Sequence, residues 1–392
     1  MNKNYQIILY GATGFTGKLC AEYFRENYPD LNWAIAGRNK NKLEALKSEL
    51  NLDCDIFVAD SDDYEAIKNF VKQTKVVLSA AGPFARYSTK VVEACVECKT
   101  HYTDITGENH WVKGLIDRFH EKAALDGTRI VPSCGYDSIP SDLGVYFSVT
   151  RSNQPVNHVT VYHSAKGGAS GGTTETMFTM GPLPKEMRDP FLLNPKDSVS
   201  ETQKRKSLDN FSVKPIPGTD AFSGMGLMAF ANTRVVRRSS ALFDLNQKSY
   251  GPDFTFKELG SYPSKAAARI TSFVLMSAFL VIATPLRYLV RPLLPKPGDG
   301  PDKEARDNGW FRGLFIAELE DGSEKRFEIY GSGDPGYKST SKMVCEAALT
   351  LAFSDDLPFG NEFGGVLTSA VGLGDPLISR LMKAGITFEA LS

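Results

Sequence analysis

Short apolar runs and helix-spaced apolar positions alternate through the first third of the chain. Tyr5-Gln6-Ile7-Ile8-Leu9-Tyr10 is rich in strand formers and stops at a glycine, and Leu19, Tyr23 and Phe24 then recur at helical spacing. The same alternation predicts strands over residues 33–36, 54–59, 76–80, 102–104 and 129–132, and helices over 17–27, 41–50, 62–72, 89–98 and 110–125. Strands separated by helices build βαβ units with right-handed crossovers, and so a parallel sheet. After about residue 150 the pattern changes to mixed strand and loop, with a strand over 158–165, a glycine cluster at 167–174 and a Pro-rich stretch at 182–195. A helical pattern returns over 342–353.

This patterning predicts an α/β protein: an N-terminal Rossmann-type parallel sheet, a second α+β substrate domain and a C-terminal helical return. The boundaries fall at 1–149, 150–341 and 342–392, with the last segment packing back on the first domain. The length of 392 residues agrees with more than one core.

One interval breaks the pattern. No charge occurs between Arg269 and Arg287, and residues 270–286 are apolar up to Pro285. A spanning helix needs about 20 such residues. Lys265 and Arg269 before the interval, with Arg287 and Arg291 after it, suit a helix lying on an anionic membrane or lipid surface. The competing expectation is a buried core helix. Flanking charge at both ends gives no orientation.

The glycines of Gly11-Ala12-Thr13-Gly14-Phe15-Thr16-Gly17 follow a strand and open a helix, the context in which backbone amides approach a pyrophosphate at a helix N-terminus. At the end of the second strand an acid would accept from the ribose hydroxyls of NAD; the chain instead reads Ala36-Gly37-Arg38-Asn39. The Arg38 guanidinium can pair with a 2′-phosphate, and Lys42 adds charge one turn on, so NADPH is the expected cofactor. Topology places Asp60 and Ser61 after the third strand near the adenine, and Ala81, Gly82 and Pro83 after the fourth along the ribose and nicotinamide.

Other chemistries find no support. Tyr64-x-x-x-Lys68 spells a short-chain-dehydrogenase pair but lies before the nicotinamide half of the fold. The five histidines have no ligand spacing, so no metal is expected. A formal net charge of -1 argues against nucleic acid. Six dispersed cysteines behind a polar start predict a reducing, cytoplasmic setting, and Cys95-Val96-Glu97-Cys98 reads as helix packing.

Taken together, the turn at Gly11–Gly17, Ala36-Gly37-Arg38, Ala81-Gly82-Pro83-Phe84, His101-Tyr102-x-Asp104-x-x-Gly107-Glu108 and Gly135-Tyr136-Asp137-Ser138-Ile139-Pro140-Ser141-Asp142-Leu143-Gly144 resemble the saccharopine dehydrogenase-like oxidoreductases, especially their trans-acting enoyl reductase branch. Ser170-Gly171-Gly172-Thr173 and Gly385-Ile386-Thr387-Phe388 extend the resemblance over nearly the whole chain. The interval after Arg269 is similar to one in the animal members, which associate with lipid droplets and membranes. The resemblance implies an NADP-dependent reductase acting on the enoyl group of a lipid or polyketide intermediate.

Tyr136 is then the candidate proton donor or oxyanion-side residue, with Asp104 and Glu108 orienting it. Helix capping and loop hydrogen bonding are the alternative roles for Asp104, Glu108, Asp137 and Ser138. Two other functions stay open. A saccharopine-type amino-acid or imine reductase would use the arginine group Arg234, Arg237 and Arg238. The other is a non-catalytic, lipid-associated nucleotide-binding protein. A homodimer is compatible with all three.

Overall fold

The computed structural model describes residues 3–167, 188–207, 209, 211–282, 284–290 and 300–391. Residues 168–174 of the glycine cluster, 182–187 of the Pro-rich stretch and Arg291 lie outside that set. The strands are β1 Tyr5–Tyr10, β2 Trp33–Gly37, β3 Asp55–Val58, β4 Thr74–Ser79, β5 His101–Asp104, β6 Arg129–Val131, β7 Val156–Lys166, β8 Phe222–Gly224, β9 Thr255–Tyr262, β10 Trp310–Leu319, β11 Glu324–Ser332, β12 Gly365–Val366 and β13 Ile386–Leu391.

Seven of them form a parallel sheet in the order β12-β6-β5-β4-β1-β2-β3. Ile7, Ile8 and Leu9 are all fully buried, because helices cover both faces of the central strand, while the edge strand β3 keeps Asp55 and Val58 exposed. Helices Phe15–Asn27 and Thr340–Phe353 pack with Ile7 and Leu9; Tyr64–Val71, Thr89–Glu97 and Asn109–Leu125 pack with Ile8 on the other face. Chain order reverses direction between β1 and β4, so a crevice opens at the carboxyl ends of those strands.

The second sheet is mixed, in the order β13-β11-β10-β7-β9-β8, with β7 and β9 parallel and the other pairs antiparallel. Helix Ile139–Thr150 leaves the end of β6 and joins the two sheets. Its Leu143 and Phe147 share one core with Leu9 of the first sheet and Phe315 and Phe327 of the second. The substrate half is thereby locked to the cofactor half by continuous apolar packing.

The C-terminal residues divide between the sheets. Helix Thr340–Phe353 and β12 lie on the first, stapled by the buried Arg129 guanidinium, which donates to the carbonyls of Pro358, Gly360 and Gly372 at 2.8, 2.6 and 2.6 Å. Residues 386–391 go instead to the edge of the second sheet as β13. Ile386 and Phe388 turn inward there while Thr387 and Glu389 face out, a period-two pattern that makes a half-buried edge strand.

The apolar interval forms helix Lys265–Ile282, in which only Ala268 is buried. Ile270, Phe273 and Leu280 are 64%, 73% and 64% exposed. The buried-helix expectation is therefore not met. The helix touches the second sheet along one side, where the Ser272 hydroxyl accepts from Met225 N at 2.9 Å and Phe279 meets Phe230 edge-on, and Ile270, Phe273, Val274, Met276 and Leu280 turn outward.

Candidate cofactor and active site

The crevice begins at the glycine turn. Gly11 has φ +80°, and an added Cβ there would stand 2.7 Å from the Ala81 backbone nitrogen, so the β1 and β4 loops close on each other only with glycine. A Cβ on Gly17 would stand 2.3 Å from the Gly11 carbonyl oxygen, which binds helix Phe15–Asn27 tightly to the turn. Gly14 differs: it is exposed, and a Cβ would meet nothing nearer than 3.4 Å. Gly14 is also the helix N-cap and supplies no side-chain acceptor, so the first-turn N–H groups are left to a ligand. An open cradle of backbone donors at a helix N-terminus fits the pyrophosphate of a dinucleotide.

Arg38 stands exposed beyond β2, with its guanidinium carbon 5.9 Å from the ring centroid of Tyr87 at the end of the β4 loop. The loops after β2 and β4 thus converge at the carboxyl ends of those strands. Asn39 is partly committed: its side chain accepts from Lys42 N at 3.0 Å and caps helix Lys40–Glu49, while the Lys42 side chain remains exposed. The Asp60 carboxylate accepts from Asp62 N at 3.0 Å beside Ser61. Asp60 also reaches buried Tyr10, whose phenol is pushed up to about 12 by burial first and by that carboxylate second. Ala81, Gly82 and Pro83 run from β4 into helix Phe84–Tyr87.

The residues expected to orient Tyr136 are engaged elsewhere. The buried Glu108 carboxylate accepts from Phe84 N at 2.7 Å and Ala85 N at 3.0 Å, so it holds the β4 loop that carries Tyr87. Asp104 is fully buried at the end of β5. Its Oδ1 accepts from Thr106 N and Ser133 N, each at 2.9 Å, and its Oδ2 accepts from the Tyr102 hydroxyl at 2.8 Å. Burial raises its carboxyl to about 7, with the hydrogen bonds opposing. Both carboxylates shape the loops after β4, β5 and β6 and do not hydrogen-bond the Tyr136 phenol.

Tyr136 sits just before helix Ile139–Thr150, at the carboxyl end of β6. Its backbone N–H donates to the Thr340 hydroxyl at 3.0 Å, and its ring packs edge-on against Phe311 at 5.1 Å and His163 at 6.4 Å. Burial, reinforced by Glu258 and Asp137, raises its phenol well above the ordinary value, so the phenol keeps its proton. Burial also raises the neighbouring Asp137 carboxyl, to about 6. Ser138 is the N-cap position but makes no cap hydrogen bond; its hydroxyl faces Asn232 Oδ1 at 3.4 Å.

Beneath Tyr136 lies a buried network that the motif spacing does not reveal. The Ser141 hydroxyl donates to Glu258 Oε2 at 2.7 Å and lies 2.9 Å from His163 Nε2; Asn232 Nδ2 donates to Glu258 Oε1 at 2.9 Å. In the Nε2–H tautomer of His163 the imidazole donates to the Ser141 oxygen, whose own proton goes to Glu258. His163 is neutral, because burial lowers it to about 4, and burial raises Glu258 to about 7. The one local signal was Glu258 itself. Period two along β9 puts it on the face of Phe256, an acid at a core position.

The arginine group is not a substrate site. Arg234 and Arg237 pair with Asp209 at 2.6 and 3.1 Å, and Arg237 also donates to the carbonyls of Pro190 and Ser207. Arg238 donates to the Leu193 and Val366 carbonyls. All three are buried, with their donors directed at the fold.

Residues 7–131 match the saccharopine dehydrogenase NADP binding domain. A Mycobacterium tuberculosis relative, provisionally named a trans-acting enoyl reductase, is 34% identical over 99% of this chain and 97% of its own length. The trans-acting enoyl reductase of Mycobacterium ulcerans is 32% identical over 99% of this chain and 98% of its own. The chain belongs to the saccharopine dehydrogenase-like oxidoreductases, in their trans-acting enoyl reductase branch. It is an NADP-dependent oxidoreductase by that membership.

Solved structures share the fold at low identity. Apo saccharopine dehydrogenase (L-Glu forming) from Saccharomyces cerevisiae aligns at TM-score 0.54 and 14% identity, over 99% of this chain and 100% of its own. Homospermidine synthase from Legionella pneumophila, in complex with NAD, aligns at 0.57 and 8%, over 100% and 92%.

Proposed function

We propose that this enzyme reduces the carbon–carbon double bond of an enoyl group on a lipid or polyketide intermediate, and that it works against a lipid surface. The observation that carries the first part is the position of Tyr136, a phenol held protonated where the crevice meets the second sheet. When bound, NADPH supplies the hydride for the β-carbon of an unsaturated thioester. Tyr136 donates a hydrogen bond to the thioester oxygen, where negative charge builds during reduction, and the resulting enolate takes a proton at the α-carbon from Tyr136, which solvent then reprotonates. Ser141, His163, Asn232 and Glu258 fix the floor under the Tyr136 ring. Glu108 and Asp104 set the loops around it.

The saccharopine-type alternative loses its dicarboxylate site, because Arg234, Arg237 and Arg238 are spent on internal partners. Lipid contact is supported by the outward apolar face of Lys265–Ile282 and by Lys265, Arg269 and Arg287 around it.

The test is NADPH oxidation by the full chain with enoyl thioesters of increasing chain length. Tyr136→Phe should lower kcat by about a hundredfold or more while leaving the NADPH Kd unchanged. Turnover of imines but not enoyl thioesters would sink the substrate assignment, and tight NADPH binding with no turnover of either would leave the non-catalytic reading. Flotation with anionic vesicles tests the surface contact; protein that stays with the soluble fraction at low salt removes it.

A further inference from the structure

Phe15 is the first residue of the helix behind the glycine turn, and its ring is covered from outside the first sheet. Tyr337 meets it edge-on at 5.1 Å between centroids. The Gly300 backbone is so close that an added Cβ would stand 2.4 Å from the ring. The Arg306 guanidinium carbon lies 5.6 Å from the ring centroid. These three residues belong to a strap made of Gly300, the short helix Lys303–Asp307 and the turn Pro335–Ser339.

The strap is tied together by its own bonds. Asp334 N donates to the Arg306 carbonyl at 2.7 Å, and the Asp334 side chain accepts from Lys338 N at 3.0 Å. Lys303 and Lys338 both pair with Asp307 at 2.5 Å and hold its carboxyl down to about 2. Tyr337 and Asp334 are buried. The arrangement presents a fixed surface to the glycine turn.

Charge is distributed unevenly along it. The two lysines are spent on Asp307. Arg306 donates from one terminal nitrogen to the Pro301 carbonyl at 2.7 Å and pairs with no carboxylate among the described residues; the buried Asp334 is the acid whose field it meets. A guanidinium over an aromatic face keeps its in-plane N–H groups free to receive an anion. The ring beneath it belongs to the residue whose own backbone N–H opens the helix, beside the open face of Gly14.

We propose that Arg306 is a ligand of the cofactor pyrophosphate, delivered by the strap across the glycine turn from outside the NADP-binding domain. The proposal rests on the cofactor reading of that turn. It divides recognition between two arginines: Arg38 reads the 2′-phosphate, and Arg306 grips the diphosphate common to NADPH and NADH.

Fluorescence titration of the full chain at fixed ionic strength tests this. Arg306→Ala should raise the Kd for NADPH and for NADH by the same factor, roughly tenfold or more, leaving their ratio as in the wild type. Arg38→Ala should change the ratio. Arg306→Gln, which keeps the side-chain stem over Phe15, guards against a packing effect and should show the same loss; Arg306→Lys should restore part of it. Wild-type affinity for both nucleotides in Arg306→Ala overturns the proposal, and so does a loss confined to NADPH. A wild-type protein that binds neither nucleotide overturns the cofactor reading itself, before any variant is compared.

Discussion

On the cofactor side of the crevice, Gly11 closes on Ala81, Gly17 closes on the Gly11 carbonyl and Gly14 leaves helix N–H groups open, all inside seven consecutive residues. On the other side, Tyr136 stands over Ser141, His163, Asn232 and Glu258, drawn from a helix, two strands of the second sheet and a second helix. The first surface is made by backbone and admits no added atom at Gly11 or Gly17. The second is made by mostly buried side chains that hydrogen-bond one another. Recognition of an invariant diphosphate suits the first construction, and placement of a single phenol suits the second.

The largest effect should come from adding one methyl group to the backbone surface. Gly17→Ala puts a Cβ against the Gly11 carbonyl with no flexible neighbour to yield, so we expect a loss of about 3 kcal/mol or more and no measurable NADPH binding. Thermal unfolding with and without NADPH checks both; a variant that keeps its NADPH-induced stabilisation would show the turn to be looser than its geometry.

Glu108→Ala comes next. It strips the acceptors from Phe84 N and Ala85 N and should cost about 2–3 kcal/mol, with NADPH affinity falling because the Tyr87 loop is released. If instead kcat fell with stability and NADPH affinity unchanged, Glu108 would act on the substrate side and the contrast between the two surfaces would blur.

A smaller effect concerns pH. The folded chain holds the Glu258 proton to about 7 against an ordinary 4.5, so the folded state binds that proton more tightly than the unfolded chain. The resulting stability is fully present below about pH 4.5 and is lost as pH rises through about 7. Glu258→Gln should flatten this part of the curve of melting temperature against pH, leaving the similar contribution of Asp104 in place. An unchanged slope would mean that Glu258 is better solvated than its burial indicates.

The smallest stability effect belongs to neither surface. Phe273→Asp on the exposed helix should change stability by less than about 0.5 kcal/mol yet weaken recovery with anionic vesicles. A large loss of stability would show that the apolar face packs on something within the fold.

Much of the first domain could be read along the chain, because strand, turn and helix are each set by near neighbours. Ile7 to Leu9, the turn to Gly17 and the helix behind it needed no distant partner to be recognised, and Arg38 follows from its place after β2. For Glu108 and Asp104 loop hydrogen bonding was one of the two roles the chain suggested, but the partners were not legible. Their partners, Phe84, Ala85, Thr106, Ser133 and Tyr102, lie across separate loops, and only folding brings those loops together.

The chain alone determined the alternating α/β pattern, the glycine cradle, the arginine that replaces an acid after β2 and the apolar run after Arg269, since each depends on residue type at short spacing. Tertiary structure decided the rest. It sent residues 386–391 to the second sheet, left the helix Lys265–Ile282 uncovered, closed Arg234, Arg237 and Arg238 on internal partners and set Arg306 over Phe15. These outcomes depend on which surfaces remain free after the two sheets have shared one core, and local spacing holds no record of that competition.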